Sequence, residues 1–367
     1  KSLLGLINDI LDFSKIEAGK LNLDMVQTEI IEPIEETADM IRHPAYKKGI
    51  ELLLNVDPDI PRFAMLDPMR LRQILVNLLS NALKFTEKGE VELKASLIKL
   101  EDNRGTIRLS VRDTGIGISN AQRKKLFKAF SQADNSTTRK YGGTGLGLVI
   151  SDQLVHLMGG KLEFESVEGN GSEFYFSIKT ELKGGDKTVK SSINNIARCL
   201  VIDDNKNNRR ILKRIITQWG IECVTCTNGY ESLKILEETK PFDVILCDYH
   251  MPYLDGFETV KMVREKLNIS PEKLPIIMLH SSADEAEQHD KSKELGIHFG
   301  LIKPIKQSEL KKSLIDTQKP TNGKEGAEIE SLNTVKTMKE MKIYPSHRIL
   351  VAEDNHTNMV LITTLLK

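Results

Sequence analysis

The sequence predicts two domains in tandem: an α+β domain with a mixed sheet covered by helices on one face, then an α/β domain with a doubly wound parallel sheet. In residues 21–181 of the 367-residue chain, strand-like runs are separated by helical patterns, which is typical of an α+β arrangement. Residues 197–317 alternate apolar strands with helices five times, which indicates parallel strands joined by crossover helices. Polar stretches at 182–196 and 318–346 are predicted linkers.

Composition limits the classes of function. Lys plus Arg and Asp plus Glu number 52 each, and no basic stripe is interleaved with aromatic residues, so we expect no nucleic-acid partner. The four cysteines suit a reducing cytosol, and the pair Cys223 and Cys226 lacks the second pair that a zinc site requires, which favours core packing. No apolar run reaches the ~20 residues of a membrane span. We therefore expect a cytoplasmic region, with any membrane anchor of the full-length protein in a segment upstream.

Residues 1–20 open directly in helical periodicity, with no capping residue ahead of the first apolar positions. A helix that begins before Lys1 is the simplest interpretation. The first domain then contains runs with the alternation or short apolar continuity of strands. These predicted strands are 50–56, 90–98, 106–113, 161–166 and 172–178.

The stretch LRQILVNLLSNALKFT (71–86) predicts an amphipathic helix. Asn77, Asn81 and Lys84 fall on a face separate from its apolar stripe. Asparagine weakens a helix interior because its amide competes for backbone hydrogen bonds, so two of them one turn apart indicate a ligand site. A solvated polar face is the alternative, and this stretch taken alone favours that alternative.

Two glycine-containing motifs shift the balance towards a ligand site. A predicted strand delivers Asp113 to its end, and Gly115 and Gly117 of the following DTGIGI allow the backbone to approach a ligand closely. YGGTGLGL (141–148) precedes an apolar helical stretch, so backbone N–H groups at the helix start are available to a phosphate. The common phosphate loops GxxxxGK[ST] and GxGxxG do not match this stretch.

In this order the motifs resemble the N box, G1 box, F box (LFKAF, 126–130) and G2 box of the Bergerat-type ATP-binding domain of histidine kinases. The resemblance implies that ATP and Mg²⁺ bind here. It implies that Asn81 holds the Mg²⁺, with Asn77 and Lys84 beside it, and that Asp113 accepts from the adenine amino group. The other nucleotide-binding positions implied in the same way are Gly115, Gly117, Arg139, Lys140, Gly143, Thr144, Gly145, Leu146 and Gly147.

The resemblance also implies a mobile lid at 119–141, with Arg139 and Lys140 as candidate contacts to the γ-phosphate. Related ATPases of the superfamily carry a water-activating glutamate at the position where this chain has Asn77. This difference favours transfer of phosphate to a protein side chain over hydrolysis.

Residues 1–20 resemble the second helix of the dimerisation hairpin of histidine kinases, whose first helix carries the phosphorylated histidine. Eight histidines are present, and none, His43 and His156 included, lies in the context expected of that residue. The resemblance therefore implies a phosphoacceptor helix upstream in the same protein and a homodimer of the full-length protein. We expect this chain to bind ATP without having a phosphoacceptor histidine of its own.

The strands predicted in the second domain are largely apolar and lie at 199–203, 223–227, 244–248, 275–281 and 298–304. In a doubly wound sheet the ligand binds at the carboxyl ends of the strands. The residues predicted at those ends are Asp203, Asp204, Asp248 and Lys303.

Three carboxylates brought together repel one another and raise their pKa values unless a cation joins them, which predicts an oxygen-liganded Mg²⁺ site. One carboxylate can then attack a phosphoryl group while the metal and the lysine offset the charge. The alternative is that each Asp only caps a helix, which is common for a single Asp and disfavoured for three at strand ends.

This whole segment resembles the response-regulator receiver domains, which have a flavodoxin-like fold. The resemblance implies that Asp248 is the phosphoacceptor and that Lys303 contacts the acyl phosphate. Asp203 and Asp204 would bind Mg²⁺ together with Asp248.

Two positions of this second domain depart from the receiver pattern. His280, followed by Ser281, stands where the family usually has a switch Thr or Ser, and Gly300 stands where it has an aromatic residue. We expect phosphate capture to survive these changes and the output to run through dimer or partner contacts.

An internal repeat closes the chain. HRILVAEDNHTNMVLITTLL (347–366) follows the plan of ARCLVIDDNKNNRRILKRII (197–216), and Glu353 and Asp354 align with the acidic pair at 203–204. Residues 347–367 therefore resemble the start of a second receiver.

Together these resemblances indicate part of a hybrid sensor histidine kinase. The implied reaction moves the γ-phosphoryl group of Mg-ATP to the upstream histidine and then to Asp248, from which a downstream receiver or histidine phosphotransfer protein takes it. The alternative is an ATP-gated interaction module with the receiver as a regulated docking surface or phosphate sink, and Asn81→Ala discriminates the two. An ATPase motor is disfavoured by Asn77.

Overall fold

The computed structural model describes residues 3–123, 126–127, 145–184, 193, 195–281 and 291–318. All of these described residues belong to one compact unit. The repeat at 347–367 and nearly all of the second predicted linker lie outside the described residues, as does most of the predicted lid. Four predicted nucleotide-binding residues also lie outside them: Arg139, Lys140, Gly143 and Thr144.

Seven of the described strands form the sheet of the first domain. They are β1 (Val26–Glu29), β2 (Ile50–Val56), β3 (Phe63–Leu66), β4 (Gly89–Glu101), β5 (Arg104–Asp113), β6 (Leu162–Val167) and β7 (Gly171–Lys183). The strand order is β1-β3-β7-β5-β4-β2, with β6 also paired to β7. The β2–β4 pair is parallel, whereas β4–β5 and β5–β7 are antiparallel. The prediction of a mixed sheet is confirmed.

The sheet differs from the predicted strands at one edge. Sequence patterning did not identify β1 or β3, because four residues give too short an alternation to recognise. It also ended the last strand at 178, whereas β7 continues to Lys183. The extension exists because Ala64 and Phe63 of β3 pair with Leu182 and Lys183, a partner that the local sequence does not reveal.

The described helices of this domain are α1 (Leu3–Glu17), α2 (Ile31–Lys47), α3 (Pro68–Phe85), α4 (Asn120–Arg123) and α5 (Gly147–Leu157). Asp67 caps α3 by accepting from the Arg70 backbone N–H at 3.0 Å, and Pro68 occupies the first turn, where no donor is lost. The predicted apolar stripe of α3 is buried in the same core as the sheet and α5. Because this stripe is buried in the core, a ligand can approach α3 only from its other face.

The second domain has a five-stranded sheet among the described residues, in the order β12-β11-β10-β8-β9 and parallel throughout. Its strands are β8 (Arg198–Ile202), β9 (Glu222–Cys226), β10 (Val244–Asp248), β11 (Ile276–His280) and β12 (Phe299–Ile302). Its helices are α6 (Lys206–Gln218), α7 (Gly229–Glu238), α8 (Gly256–Glu265) and α9 (Gln307–Asp316). The predicted doubly wound sheet is confirmed.

Each face of this second sheet has its own core, as strand alternation requires. Val201 packs in one apolar cluster, while Leu200 and Ile202 pack in the other. The strand interiors are therefore buried on both sides, and polar side chains are left at the strand ends. None of the described helices combines the length and apolar character needed to cross a membrane.

Candidate functional site

The first group of predicted nucleotide residues lies on α3, on the side that contacts α5. Asn77 Nδ2 donates to Ser151 Oγ at 2.8 Å. A Cβ added to Gly147 would lie only 2.3 Å from Asn77 Oδ1, so glycine at 147 is what lets the start of α5 approach this amide. Asn81 and Lys84 follow on the same helix and are half-buried.

Asp113 ends β5 and is buried, with 7% of its surface exposed. Its Oδ1 accepts from the Gly115 backbone N–H at 2.8 Å. Burial raises the pKa of this carboxyl, although backbone hydrogen bonds from Gly115 and Ser172 and the charge of Arg112 act in the opposite direction. A buried acceptor of this kind suits a neutral N–H donor such as a purine amino group.

Two glycines let the loop after Asp113 lie close to the end of α3 and to the end of β6. A Cβ on Gly115 would lie 2.3 Å from Phe85 O, and the Ile116 N–H donates to the same oxygen at 3.2 Å. Gly117 has a φ of +67°, and a Cβ there would lie 2.1 Å from Val167 O. A larger residue at 115 would push the loop away from α3, and one at 117 would push it away from the end of β6.

The three motifs therefore meet along α3. The glycine loop, with Gly145 at a φ of +70° and Leu146 buried, reaches α3 near Asn77, and the loop after Asp113 reaches it at Phe85. Asn81 and Lys84 lie between these two points. A helix start with free N–H groups, amide oxygens, a lysine and a buried carboxylate fit the phosphates, the metal and the base of Mg-ATP.

The second predicted site lies at the carboxyl ends of β8 and β10. Ligand oxygens of Asp203, Asp204 and Asp248 lie within 4.8 Å of one another, and Asp203 and Asp248 are buried while Asp204 is exposed. Oxygen ligands at this spacing fit a hard divalent cation such as Mg²⁺.

Lys303, which follows β12, neutralises part of this cluster. Its Nζ lies 2.8 Å from Asp248 Oδ2 and 3.1 Å from Asp203 Oδ2. Burial raises the pKa of Asp248 to about 7, and the charges of Asp203 and Glu51 act in the same direction while Lys303 opposes them. Burial would lower the pKa of Lys303, but the attraction of the surrounding carboxylates outweighs it and raises that pKa.

The capping alternative for these acids finds no support in the geometry. Asn205 is the N-cap of α6, with its side chain accepting from the N–H groups of Asn207 and Asn208, and Asp255 is the N-cap of α8. Neither Asp203 nor Asp248 caps those helices. Their carboxylates face the lysine instead.

Comparison with known proteins agrees with this geometry. Residues 66–182 match the family described as "Histidine kinase-, DNA gyrase B-, and HSP90-like ATPase". Residues 199–315 match the response regulator receiver domain. BarA, a signal transduction histidine-protein kinase of Shigella flexneri, is 34% identical over 86% of this chain and 34% of its own length. GacS, a sensor histidine kinase of Pseudomonas protegens, is 34% identical over all of this chain and 39% of its own length.

The chain belongs to the hybrid sensor histidine kinases. It spans between a third and two fifths of the length of these two relatives. A crystal structure of full-length ShkA in complex with AMPPNP is 27% identical, with a TM-score of 0.68 over 99% of this chain and 70% of that one. The ATPase-type domain and the receiver of this hybrid kinase are therefore both present, in the predicted order.

The unusual switch positions of the receiver contact each other. His280 is 8% exposed, and its Nε2 lies 2.9 Å from where a Cβ on Gly300 would stand. The imidazole thus occupies space that a larger residue at 300 would need. Its Nδ1 lies 3.2 Å from Ser281 O. The two departures from the family pattern are therefore coupled, because the His280 ring packs against the position where Gly300 has no side chain.

Sequence reasoning missed one residue at the receiver site of this hybrid kinase. Glu51, on β2 of the ATP-binding domain, places Oε1 3.4 Å from Lys303 Nζ. The two residues are 252 positions apart, so no local pattern links them. The available signal was the stretch IELLLNV, in which apolar residues at 52, 53 and 54 break strand alternation and indicate that both faces of β2 are covered.

Proposed function

We propose that this chain performs two successive phosphoryl transfers, from Mg-ATP to a histidine on an upstream helix and from that histidine to Asp248. The observation that carries the proposal is that one chain holds both sites: three nucleotide motifs gathered on α3, and a buried aspartate held by a lysine within an acidic cluster. The relatives are named as histidine kinases, which does not favour a pure interaction module.

For the first transfer, the N–H groups at the start of α5 and Lys84 would hold the phosphates, and the buried carboxylate of Asp113 would select the base. Asn77 occupies the position where an ATPase has its general base, and its amide cannot accept a proton from water at neutral pH. The side chain instead donates to Ser151 at 2.8 Å. This arrangement supports transfer to a protein nucleophile over steady hydrolysis.

For the second transfer, a carboxylate oxygen of Asp248 would be the nucleophile. The P–N bond to the histidine breaks as the P–O bond to Asp248 forms, and the imidazole leaves and takes up a proton. Lys303 is already within 2.8 Å of Asp248 and would offset charge on the phosphoryl oxygens. Mg²⁺, held by Asp203, Asp204 and Asp248, would neutralise the remaining charge at these oxygens.

The proposed partners follow from the same reaction. The dimerisation hairpin would be completed by the upstream helix and a second copy, since α1 exposes Ile7, Ile10 and Leu11 along one side. A downstream receiver or histidine phosphotransfer protein would accept the group from Asp248. We propose a cytoplasmic location on the basis of four buried cysteine thiols that form no disulfide.

The test is to mix this chain with a separately produced dimerisation hairpin that carries the histidine, then add Mg²⁺ and γ-labelled ATP. We expect label on the hairpin first, in an acid-labile form, and then on this chain in a base-labile form. Asp248→Ala should abolish only the second signal, and Asn81→Ala should abolish both.

Asn103→Ala is the matched control for Asn81→Ala, because Asn103 lies in the exposed turn between β4 and β5, at the opposite end of β5 from Asp113. The proposed kinase chemistry would be contradicted if Asn81→Ala still labelled the hairpin. Steady ATP turnover with no acceptor present would contradict it as well. Base-labile label retained in Asp248→Ala would contradict the proposed acceptor.

A further inference from the structure

The face of β2 that points away from the core of the ATP-binding domain contacts the receiver along the length of the strand. Ile50, Leu52 and Leu54 point into the core of the ATP-binding domain, so Glu51, Leu53 and Asn55 point the other way. Leu53 is 1% exposed and packs within an apolar cluster of the receiver. An apolar side chain on the outer face of an edge strand is a liability unless something covers it. Here the receiver covers it.

Polar contacts flank this apolar contact. Arg214 Nη2, on α6 of the receiver, donates to Asn55 Oδ1 at 2.6 Å and to Val56 O at 3.1 Å. Gln307 Nε2, on α9, donates to Val56 O at 2.7 Å. These bonds satisfy groups at the end of the edge strand. We call the surface formed by β2, α6 and α9 the docking interface.

The docking interface ends inside the phosphorylation site. Glu51 Oε2 accepts from Asn205 Nδ2 at 2.5 Å, and Glu51 Oε1 accepts from Asn208 Nδ2 at 3.2 Å. Oε1 also lies 3.4 Å from Lys303 Nζ, the same ammonium that holds Asp248 at 2.8 Å. A carboxylate of the kinase domain therefore shares the lysine that the acyl phosphate is expected to use.

A second glutamate reinforces the contact. Glu90, beside Glu51 in the β2–β4 register, accepts from Asn205 Nδ2 at 3.0 Å and from Asn207 Nδ2 at 2.6 Å. The N-cap and first turn of α6 thus donate their asparagine amides to two carboxylates of the ATP-binding domain. Phosphorylation would replace the single charge of the Asp248 carboxylate by about two negative charges on phosphoryl oxygens beside them.

We propose that the docking interface is a binding surface for the unphosphorylated receiver alone, and that Glu51 is the residue through which phosphorylation of Asp248 releases it. The phosphoryl group takes Lys303 from Glu51, and like charges a few ångströms apart then repel across the interface. In the docked state this end of the receiver is covered by the kinase domain, so Asp248 accepts a phosphoryl group in the undocked state, and the phosphoryl group then keeps the receiver from docking again. This inference rests on the proposed role of Asp248.

The first test measures access to Asp248 with phosphoramidate, in which the P–N bond breaks, a P–O bond forms at Asp248 and ammonia leaves. Intact mass follows the phosphorylated fraction with time. We expect Glu51→Ala and Arg214→Ala, which weaken docking from opposite sides, each to phosphorylate about tenfold faster than the unaltered chain. Glu101→Ala is the matched control, because Glu101 is exposed and pairs only locally with Lys99.

The second test measures release itself by hydrogen exchange of the β2 and α6 amides, with Mg²⁺ alone and with Mg²⁺ plus beryllium fluoride as an acyl-phosphate mimic. We expect faster exchange only with the mimic, and no further increase in Glu51→Ala. Exchange unchanged at full occupancy, or variants that phosphorylate at the unaltered rate, would overturn the inference and leave the proposed function standing. No phosphorylation in any of these proteins would overturn both.

Discussion

The substitution Gly147→Ala tests the nucleotide site directly, because it adds a single methyl group beside Asn77. The new Cβ of Gly147→Ala would lie 2.3 Å from Oδ1, 3.0 Å from Cγ and 3.2 Å from Nδ2 of Asn77, so the amide must rotate away. Rotation breaks the hydrogen bond to Ser151, which is 1% exposed, and an unpaired buried hydroxyl costs about 1–3 kcal/mol. Alanine recovers up to about 1 kcal/mol through helix propensity. With that full recovery, we expect a net loss of up to about 2 kcal/mol.

Nucleotide affinity should fall with stability, because Asn77 no longer lies beside the start of α5. Urea denaturation would measure the free energy of unfolding, and titration calorimetry the affinity for a non-hydrolysable ATP analogue with Mg²⁺, which we expect to drop about tenfold. Gly184→Ala is the control, since no heavy atom lies within 4 Å of a Cβ there.

A double-variant cycle sharpens this prediction. Alanine at 77 removes the overlapping amide, so Asn77→Ala with Gly147→Ala should be no less stable than Asn77→Ala alone. Equal stability and affinity of Gly147→Ala and Gly184→Ala would refute the reasoning that residue 147 must be glycine to admit Asn77.

Three further outcomes follow from the described contacts. Asp113→Asn should weaken binding of an ATP analogue by about tenfold or more in calorimetry, because a buried charged acceptor is lost, and unchanged affinity would exclude a contact to the base. Burial raises the pKa of Glu35 from 4.5 to about 7, with the charge of Lys306 opposing. The folded protein therefore holds a proton that the unfolded chain has released, and stability falls as pH rises from about 4.5 to 7. Urea midpoints should show this slope, and Glu35→Gln should reduce it. Gly300→Tyr should destabilise the receiver by about 1–3 kcal/mol through overlap with His280, and adding His280→Thr should recover most of that loss; an additive double variant would contradict the packing explanation.

Much of the fold was predictable because its signals are local. The apolar run before Asp248 is a strand buried on both faces, and its first polar residue is necessarily at the strand end. The stripe of α3 likewise sets which face holds Asn77 and Asn81. In both cases a period of two or 3.6 residues reports burial directly.

Short or distant pairings were less predictable. Four-residue β3 carries too little alternation to be recognised, yet it determines how far β7 extends. His280 and Gly300 each read as a departure from the family pattern, and their mutual contact became visible only through the pairing of β11 with β12, in which Met278 lies opposite Gly300.

Periodicity and motif spacing were enough to predict the two domains, their order and the candidate residues at each site, since both are properties of neighbouring positions. The contact between Glu51 and Lys303, and the packing of Leu53 against the receiver, appear only in the folded chain. Contacts across 252 positions depend on how two finished surfaces fit together, and no stretch of the chain encodes that fit locally. The same outward position on β2 would be solvated in an isolated ATP-binding domain, and it is buried here because the receiver packs on it.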